Sequence, residues 1–199
     1  MRVVGLIGGI GSGKSEASKI LSSMGAHVID ADKVGHAVYE PGTLGFDRVV
    51  EAFGTGIVGE GGGIDRKALG ALVFSAPGEL ERLNGIVHPL IRAEIERRID
   101  AERQVGQTPL VVVEAAILLE AGWRAIVDEV WVVSASPEMV RARLHAGRGM
   151  SAAEVDARVA RQMADADRRA QSDVVIDNDG DRGDLTRRLE DIWAARIAR

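Results

Sequence analysis

The stretch GGIGSGKS, from Gly8 to Ser15, has residue types and spacing suited to binding phosphate. Its glycines allow backbone N–H groups to close around phosphate oxygens, and the helix pattern that follows points its positive dipole end at the same anion. Lys14 is long enough to reach β- and γ-phosphates, and the Ser15 hydroxyl suits Mg²⁺. We therefore predict a nucleoside triphosphate site with contacts from Gly8, Gly9, Gly11, Ser12, Gly13, Lys14, Ser15 and Glu16, and with Ser15 as the metal ligand.

Acidic residues end two of the apolar runs that follow this loop. In HVIDADK we predict that Asp32 accepts the proton of an acceptor hydroxyl during phosphoryl transfer. Asp30 has several open interpretations: it points the same way as Asp32, caps the next turn, or holds a metal-bound water. Glu114, in VVVEAA, either holds Mg²⁺ through water or only terminates its strand.

Five short apolar runs predict the elements that position these residues. They are rich in β-branched residues, and helix-period segments separate several of them, a pattern typical of a parallel sheet covered on both faces. Ligands bind such sheets at the carboxyl ends of the strands. The runs are residues 2–7, 26–30, 109–114, 129–134 and 173–177.

Composition excludes several classes of protein. With 199 residues, 46% of them hydrophobic, the chain is typical of a globular α/β protein, and the lack of cysteine excludes disulfides and thiolate chemistry. No run approaches the roughly 20 apolar residues of a membrane span, and no secretory signal is recognisable, so we expect a cytoplasmic protein. The net charge of −5 argues against nucleic acid as a partner.

The segment 136–171 has the opposite charge balance, with seven arginines against five acids. This excess suits a small polyanion and predicts an arginine-rich lid that closes over phosphates and excludes water. Neither asparagine lies in the N-K-x-D motif of GTP switch proteins. These features favour a small kinase with an acceptor-binding insertion.

Several segments, taken in order, closely resemble the dephospho-coenzyme A kinases. They are GLIGGIGSGKS, VIDADK, IDRKALGALVFSAPGELERLNGIVHPLI, ILLEAGW, RGMSAAEVDARVARQ and SDVVIDNDG. The resemblance implies a P-loop kinase fold, with a five-stranded parallel sheet flanked by helices, a helical substrate-binding insertion and a lid. It also implies transfer of the ATP γ-phosphoryl group to the ribose 3′-hydroxyl of dephospho-coenzyme A, the last step of coenzyme A synthesis, with Mg²⁺ as cofactor.

The resemblance also implies a division of the chain and roles for further residues. The P-loop core would comprise residues 1–33, 108–135 and 170–199, the coenzyme A region 34–107, and the lid 136–169. Arg143 would be catalytic, Arg148 and Asn178 would bind the nucleotide, and His88 at a predicted helix start would bind the acceptor or merely cap that helix. The acceptor contacts would be Asp32, His88, Pro89, Leu118, Glu120 and Trp123, although Trp123 is equally suited to the core; roles for Arg141, Arg158 and Arg161 stay open.

Four positions depart from the family pattern. Glu16 replaces the usual Thr, His36 a frequent Arg, Ala116 a usual Pro, and Gly149 a frequent Asp. A kinase for another nucleoside or nucleotide, and a nucleotide-dependent regulatory protein, are the alternative functions. We expect a small-molecule substrate, no nucleic acid or membrane partner, and a monomer or weak homo-oligomer.

Overall fold

The computed structural model describes residues 1–197, and the chain forms two compact units. The first contains Met1–Ile29 and the chain from Ile99 onward, and the second contains Asp30–Arg98. Along the chain the helices are α1 (Lys14–Ser23), α2 (Ala31–Ala37), α3 (Leu44–Phe53), α4 (Arg66–Ser75), α5 (Glu79–Val105), α6 (Pro137–Arg148), α7 (Ala152–Val159), α8 (Asp165–Ala170) and α9 (Arg182–Arg196).

The first unit is built on a sheet. Its strands are β1 (Arg2–Gly8), β2 (His27–Asp30), β3 (Leu110–Glu114), β4 (Glu129–Ser134) and β5 (Val174–Asp177). Within residues 1–197 these five strands follow the order β2-β3-β1-β4-β5. β1 pairs in parallel with β3 and β4, and β4 pairs in parallel with β5. The predicted five-stranded parallel α/β sheet is confirmed.

Both faces of the central strands are buried, which explains their continuous apolar runs. Val3 and Val4 in β1 are almost wholly buried although they point to opposite faces. On one face, Ile20 of α1 and Leu189 of α9 join the strand side chains in a single core, which also includes Trp131 of β4. The phosphate loop therefore extends from a strand that is hydrogen-bonded along both edges and packed on both faces.

The second unit is helical, and α5 begins earlier than the sequence indicated. We predicted a helix start at His88, but the helix begins at Glu79 and runs through Pro89. Proline removes one backbone hydrogen bond inside a helix and tends to break it. Here the helix continues, because Ile91 and Ile95 form a buried apolar face beyond the proline. His88 therefore does not cap this helix.

The segment after β4 contains three short helices. Val140 and Leu144 of α6 form a small core with Val155 of α7. α8 contacts β1 and β4. Among the residues described, the structure contains no helix that is both long and apolar enough to span a membrane.

Candidate active site

The phosphate loop connects β1 to α1 and has the backbone that its glycines predict. Gly11 and Gly13 have φ values of 74° and 97°, a region that favours glycine. A methyl group on Gly13 would overlap the side-chain nitrogen of Asn178. That nitrogen donates to the Ser12 carbonyl at 2.8 Å, and Asn178 is buried. Asn178 thus fixes the loop from the end of β5, while its contact with adenine stays a prediction.

Lys14 and Ser15 both donate hydrogen bonds to the same carboxylate oxygen of Glu114. Lys14 Nζ donates to Glu114 Oε1 at 2.9 Å, and Ser15 Oγ donates to the same oxygen at 2.8 Å. Burial alone would raise the pKa of Glu114, but the hydrogen bond and charge of Lys14, together with hydrogen bonds from neighbouring serine hydroxyls, outweigh it, so the pKa lies below its ordinary value. Glu114 is therefore an ionised partner of both loop residues, as well as the last residue of β3.

The two predicted lid arginines differ in their surroundings. The Arg143 guanidinium lies beside the phosphate loop, where it donates to the Ser12 carbonyl at 3.4 Å and to the Gly180 carbonyl at 3.3 Å. Arg148 is exposed at the end of α6. The next residue, Gly149, ends this helix with a φ of 63°, a conformation that favours glycine.

Glu16 has a cation to balance its charge. Arg182 Nε donates to Glu16 Oε1 at 2.6 Å, and this bond lowers the pKa of Glu16 more strongly than burial raises it. The negative charge of Glu16 is therefore balanced by Arg182, in the first turn of α9. Glu16, which replaces the usual threonine, is thus paired with Arg182, and this pairing reduces its repulsion of a bound phosphate.

Asp30 and Asp32 lie in the second unit and have different environments. Asp30 Oδ1 accepts from the backbone N–H groups of Asp32 and Lys33, each at 3.1 Å, so Asp30 caps α2. Burial acts to raise the pKa of Asp30, but the hydrogen bonds and charge of Lys33, together with the backbone hydrogen bond of Asp32, shift it below the ordinary value. The capping alternative for Asp30 is confirmed. Asp32 is exposed in the first turn of α2.

The other predicted acceptor residues divide between the two units. In the second unit, burial lowers the pKa of the half-buried His88, Pro89 is exposed, and His36 is exposed near the end of α2. In the first unit, Leu118 and Trp123 are buried core residues. Glu120 is exposed and Ala116 lies in the turn after β3. Their roles in acceptor binding stay predictions.

Two residues of the lid segment contact the phosphate loop but were not among the predicted site residues. Gln162 Oε1 accepts from the backbone N–H of Ile10 at 3.0 Å. A methyl group on Gly9 would lie 2.8 Å from Arg168 Nη2, so this guanidinium is packed directly on the loop. Gln162 lies within the segment that resembles the family, but nothing in its type indicated this contact.

Comparison with known proteins identifies the family of this chain. The sequence model described as dephospho-CoA kinase matches residues 2–184. The dephospho-CoA kinase of Geobacter sulfurreducens is 45% identical over 99% of this chain and 100% of its own length. That of Symbiobacterium thermophilum is 44% identical over 98% of this chain and 81% of its own.

Solved structures agree with the fold. TT1252 from Thermus thermophilus has a TM-score of 0.79 and 34% identity, covering 98% of this chain and 97% of its own. A shikimate kinase from Bacteroides thetaiotaomicron, with a TM-score of 0.53 and 14% identity over 98% and 97% of the two chains, supports the P-loop kinase fold alone. Since the family model spans nearly the whole sequence and two relatives are 44 and 45% identical to it over at least 98% of this chain, the chain belongs to the dephospho-CoA kinase family.

Proposed function

We propose residue roles for the reaction of this family, the ATP-dependent phosphorylation of dephospho-coenzyme A to coenzyme A. The observation that carries the proposal is the convergence of Lys14 and Ser15 on Glu114 at the mouth of a phosphate loop. A triphosphate needs a cation for its terminal phosphates and a hydroxyl for its metal ion. The transferred group would be the γ-phosphoryl group and the acceptor the ribose 3′-hydroxyl.

The phosphates are bound by backbone N–H groups of the loop and by two cations. Lys14 exchanges its bond to Glu114 for the terminal phosphates, where its charge stabilises the developing negative charge. Arg143 lies beside the loop, where it donates to the Ser12 carbonyl at 3.4 Å, and is assigned to a phosphate oxygen. A guanidinium suits this task because it donates two parallel hydrogen bonds.

Magnesium fits the oxygen donors beside the loop. Mg²⁺ prefers oxygen ligands and keeps several waters, so a hydroxyl, the phosphates and a nearby carboxylate suffice. Ser15 Oγ would be the protein ligand and Glu114 would accept from a metal-bound water. When bound, the ion neutralises charge on the phosphates. The residues described contain no cluster of three acidic or histidine ligands, which a site of this kind does not require.

Asp32 is assigned to the acceptor hydroxyl. Because Asp30 supplies the cap of α2, the Asp32 carboxylate is not needed for that structural task. Its carboxylate would orient the hydroxyl and take up its proton late in the transfer. Residues 34–107 are assigned to acceptor binding and residues 136–169 to the lid. Within the acceptor region, burial lowers the pKa of His88.

A coupled ADP-release assay tests these assignments. The purified chain is mixed with MgATP and, separately, with dephospho-coenzyme A, AMP, adenosine or shikimate. We expect ADP release to depend on dephospho-coenzyme A and ³¹P NMR to show a new 3′-phosphomonoester. Equal release with AMP would favour a kinase for another nucleotide, and no release with any acceptor would overturn the proposal. Replacing Mg²⁺ with EDTA should abolish turnover.

A further inference from the structure

Two helices of the first unit each have, in the first turn, a charge that its surroundings do not favour. α1 begins at Lys14, directly after the phosphate loop, and its third residue is Glu16. α9 begins at Arg182. The two helices pack in the same apolar core, to which Ile20 and Leu189 belong, so their positions relative to each other are fixed.

The Glu16 carboxylate is unfavourable for an anion bound at the phosphate loop. A helix N-terminus attracts anions, and the loop presents the N-terminus of α1 to its ligand. A carboxylate in that first turn competes for the same positive potential and repels phosphate oxygens. Contact is not required for this repulsion, because charges interact over a Debye length of roughly 8 Å at physiological ionic strength.

The Arg182 guanidinium is unfavourable for the helix that carries it. Cations stabilise the C-terminal end of a helix and destabilise its N-terminal end. The cap of α9 is made by Asp181 and Asp184, each of which accepts a hydrogen bond from the backbone N–H of the other. This cap does not use the Arg182 side chain. The stability of α9 therefore gives no reason for an arginine at its first position.

Each of the two charges is balanced by the other. Arg182 Nε donates to Glu16 Oε1 at 2.6 Å, a short charge-assisted hydrogen bond between residues 166 apart in the sequence. Lys19 is a more distant cation, with its Nζ 3.8 Å from Glu16 and its side chain 75% exposed. The Arg182 side chain is also 74% exposed, and such an ion pair contributes little to stability. Its main effect should therefore be on the ligand bound beside it.

We propose that Arg182 is a positioning residue for nucleotide binding, which holds and neutralises the Glu16 carboxylate so that the N-terminus of α1 stays available to phosphate. The inference rests on the proposed function for the identity of the ligand, MgATP. Arg182 acts through Glu16 and without touching the nucleotide. Because the loop backbone contacts the α- and β-phosphates, which ATP and ADP share, both nucleotides should be affected equally.

Calorimetry with MgATP and MgADP tests the coupling in Arg182→Ala, Glu16→Gln and the double variant. Arg182→Ala should weaken both nucleotides by about 3- to 10-fold, because an unbalanced charge then lies near the phosphates in a partly solvated site. In the Glu16→Gln background the same substitution should change either Kd by less than about twofold, since the charge to be balanced is gone.

Arg187→Ala is the matched control. It removes an exposed arginine of the same helix, one that pairs with Asp184 rather than with Glu16. Both Kd values should stay within about twofold of those of the unaltered chain, as expected of a surface ion pair. Arg182→Lys keeps the positive charge and should recover most of the affinity that Arg182→Ala loses.

Salt dependence, stability and kinetics distinguish this role from a structural one. The loss in Arg182→Ala should shrink at about 1 M salt, where the Debye length falls to about 3 Å. The Tm without ligand should be unchanged or slightly higher, because α9 loses a cation at its N-terminus. In steady-state assays the KM for ATP should rise, whereas kcat and the KM for dephospho-coenzyme A should not change.

Unchanged Kd values in Arg182→Ala would overturn the proposal, as would an equal loss in the Glu16→Gln background. A loss for MgATP without one for MgADP would also overturn it, because it would indicate direct contact with the γ-phosphate. A chain that shows the coupling but makes no coenzyme A would refute the proposed function and retain the role of Arg182. Normal turnover without the coupling would do the reverse, and no binding of MgATP by the unaltered chain would overturn both.

Discussion

The two units treat their predicted functional residues very differently. In the first, Lys14, Ser15 and Glu114 are hydrogen-bonded to one another, and Asn178 is bonded to the loop that carries them. In the second, Asp32 and Pro89 are exposed, and the bonds around Asp32 build a helix cap. The residues predicted to bind the nucleotide are thus held by protein contacts, whereas Asp32 and Pro89, predicted to bind the acceptor, are exposed to solvent.

The largest loss of kcat should come from a substitution in the first unit. Lys14→Ala should lower kcat by about 10² to 10³, because the cation that stabilises the transferring phosphoryl group is lost. It also leaves the Glu114 carboxylate without its cation, so the pKa of Glu114 should rise. Steady-state kinetics with dephospho-coenzyme A as acceptor measures the first effect.

Lys19→Ala is the matched control for this substitution, since Lys19 is exposed on the same helix, 3.8 Å from Glu16. It should change kcat less than twofold. A Lys14→Ala variant with kcat close to that of the unaltered chain would show that the preformed contacts are structural and would remove the contrast between the units.

Asp32→Asn should lower kcat by about 10², because the amide cannot take up the hydroxyl proton. The free energy of unfolding should change by less than about 0.5 kcal/mol, as expected of an exposed side chain. Urea unfolding and steady-state kinetics on the same preparation test both statements. Asp47→Asn, at an equivalent exposed position in the first turn of α3, should leave kcat unchanged; a near-normal kcat for Asp32→Asn would remove Asp32 from the mechanism.

Asp30 should affect stability more than chemistry. Asp30→Ala should lower the free energy of unfolding by about 1 kcal/mol, because two backbone N–H groups lose their acceptor. Asp30→Asn keeps an acceptor at the cap and should be close to neutral. Thermal and urea unfolding distinguish the two variants. If Asp30→Asn lost as much kcat as Asp32→Asn, the structural role would not be the main one.

The smallest effect concerns an ion-pair cluster on α5. Hydrogen bonds from Arg97, followed by Arg98, lower the pKa of Glu94 to about 2. Since the native pKa is depressed, the stabilisation is complete above the ordinary pKa of 4.5 and is lost as the pH falls toward 2. Glu94→Gln should therefore cost about 0.5–1 kcal/mol at pH 7, and urea unfolding should show a smaller difference at pH 3. A difference independent of pH would contradict this account.

Local patterns predicted much of this molecule. The five strands and the phosphate loop were recognisable because apolar runs and glycine spacing act through neighbouring residues. The cap at Asp30 was also among the alternatives. The helix start at His88 was wrong, because packing of Ile91 and Ile95 outweighs the local cost of Pro89.

The remaining site contacts depend on residues far apart in the sequence. Gln162 lies 152 residues from Ile10, and Asn178 lies 166 residues from Ser12. No local pattern predicts which polar side chain will reach a given backbone group across that distance. Arg168 is one of the seven arginines of the segment 136–171, and only the fold shows that it is buried, with no hydrogen-bond partner at Nε among the described residues.

The central position of β1 has a consequence for how the protein opens. Its backbone is paired on both sides, and its residues from Val3 to Gly8 are buried. Amides in such a strand exchange with deuterium only when the whole unit unfolds, whereas a short capped helix such as α2 exchanges through local fraying. The phosphate loop is thus attached to a strand that is paired on both sides, and we expect the amides of β1 to exchange later than those of α2, the helix that carries Asp32.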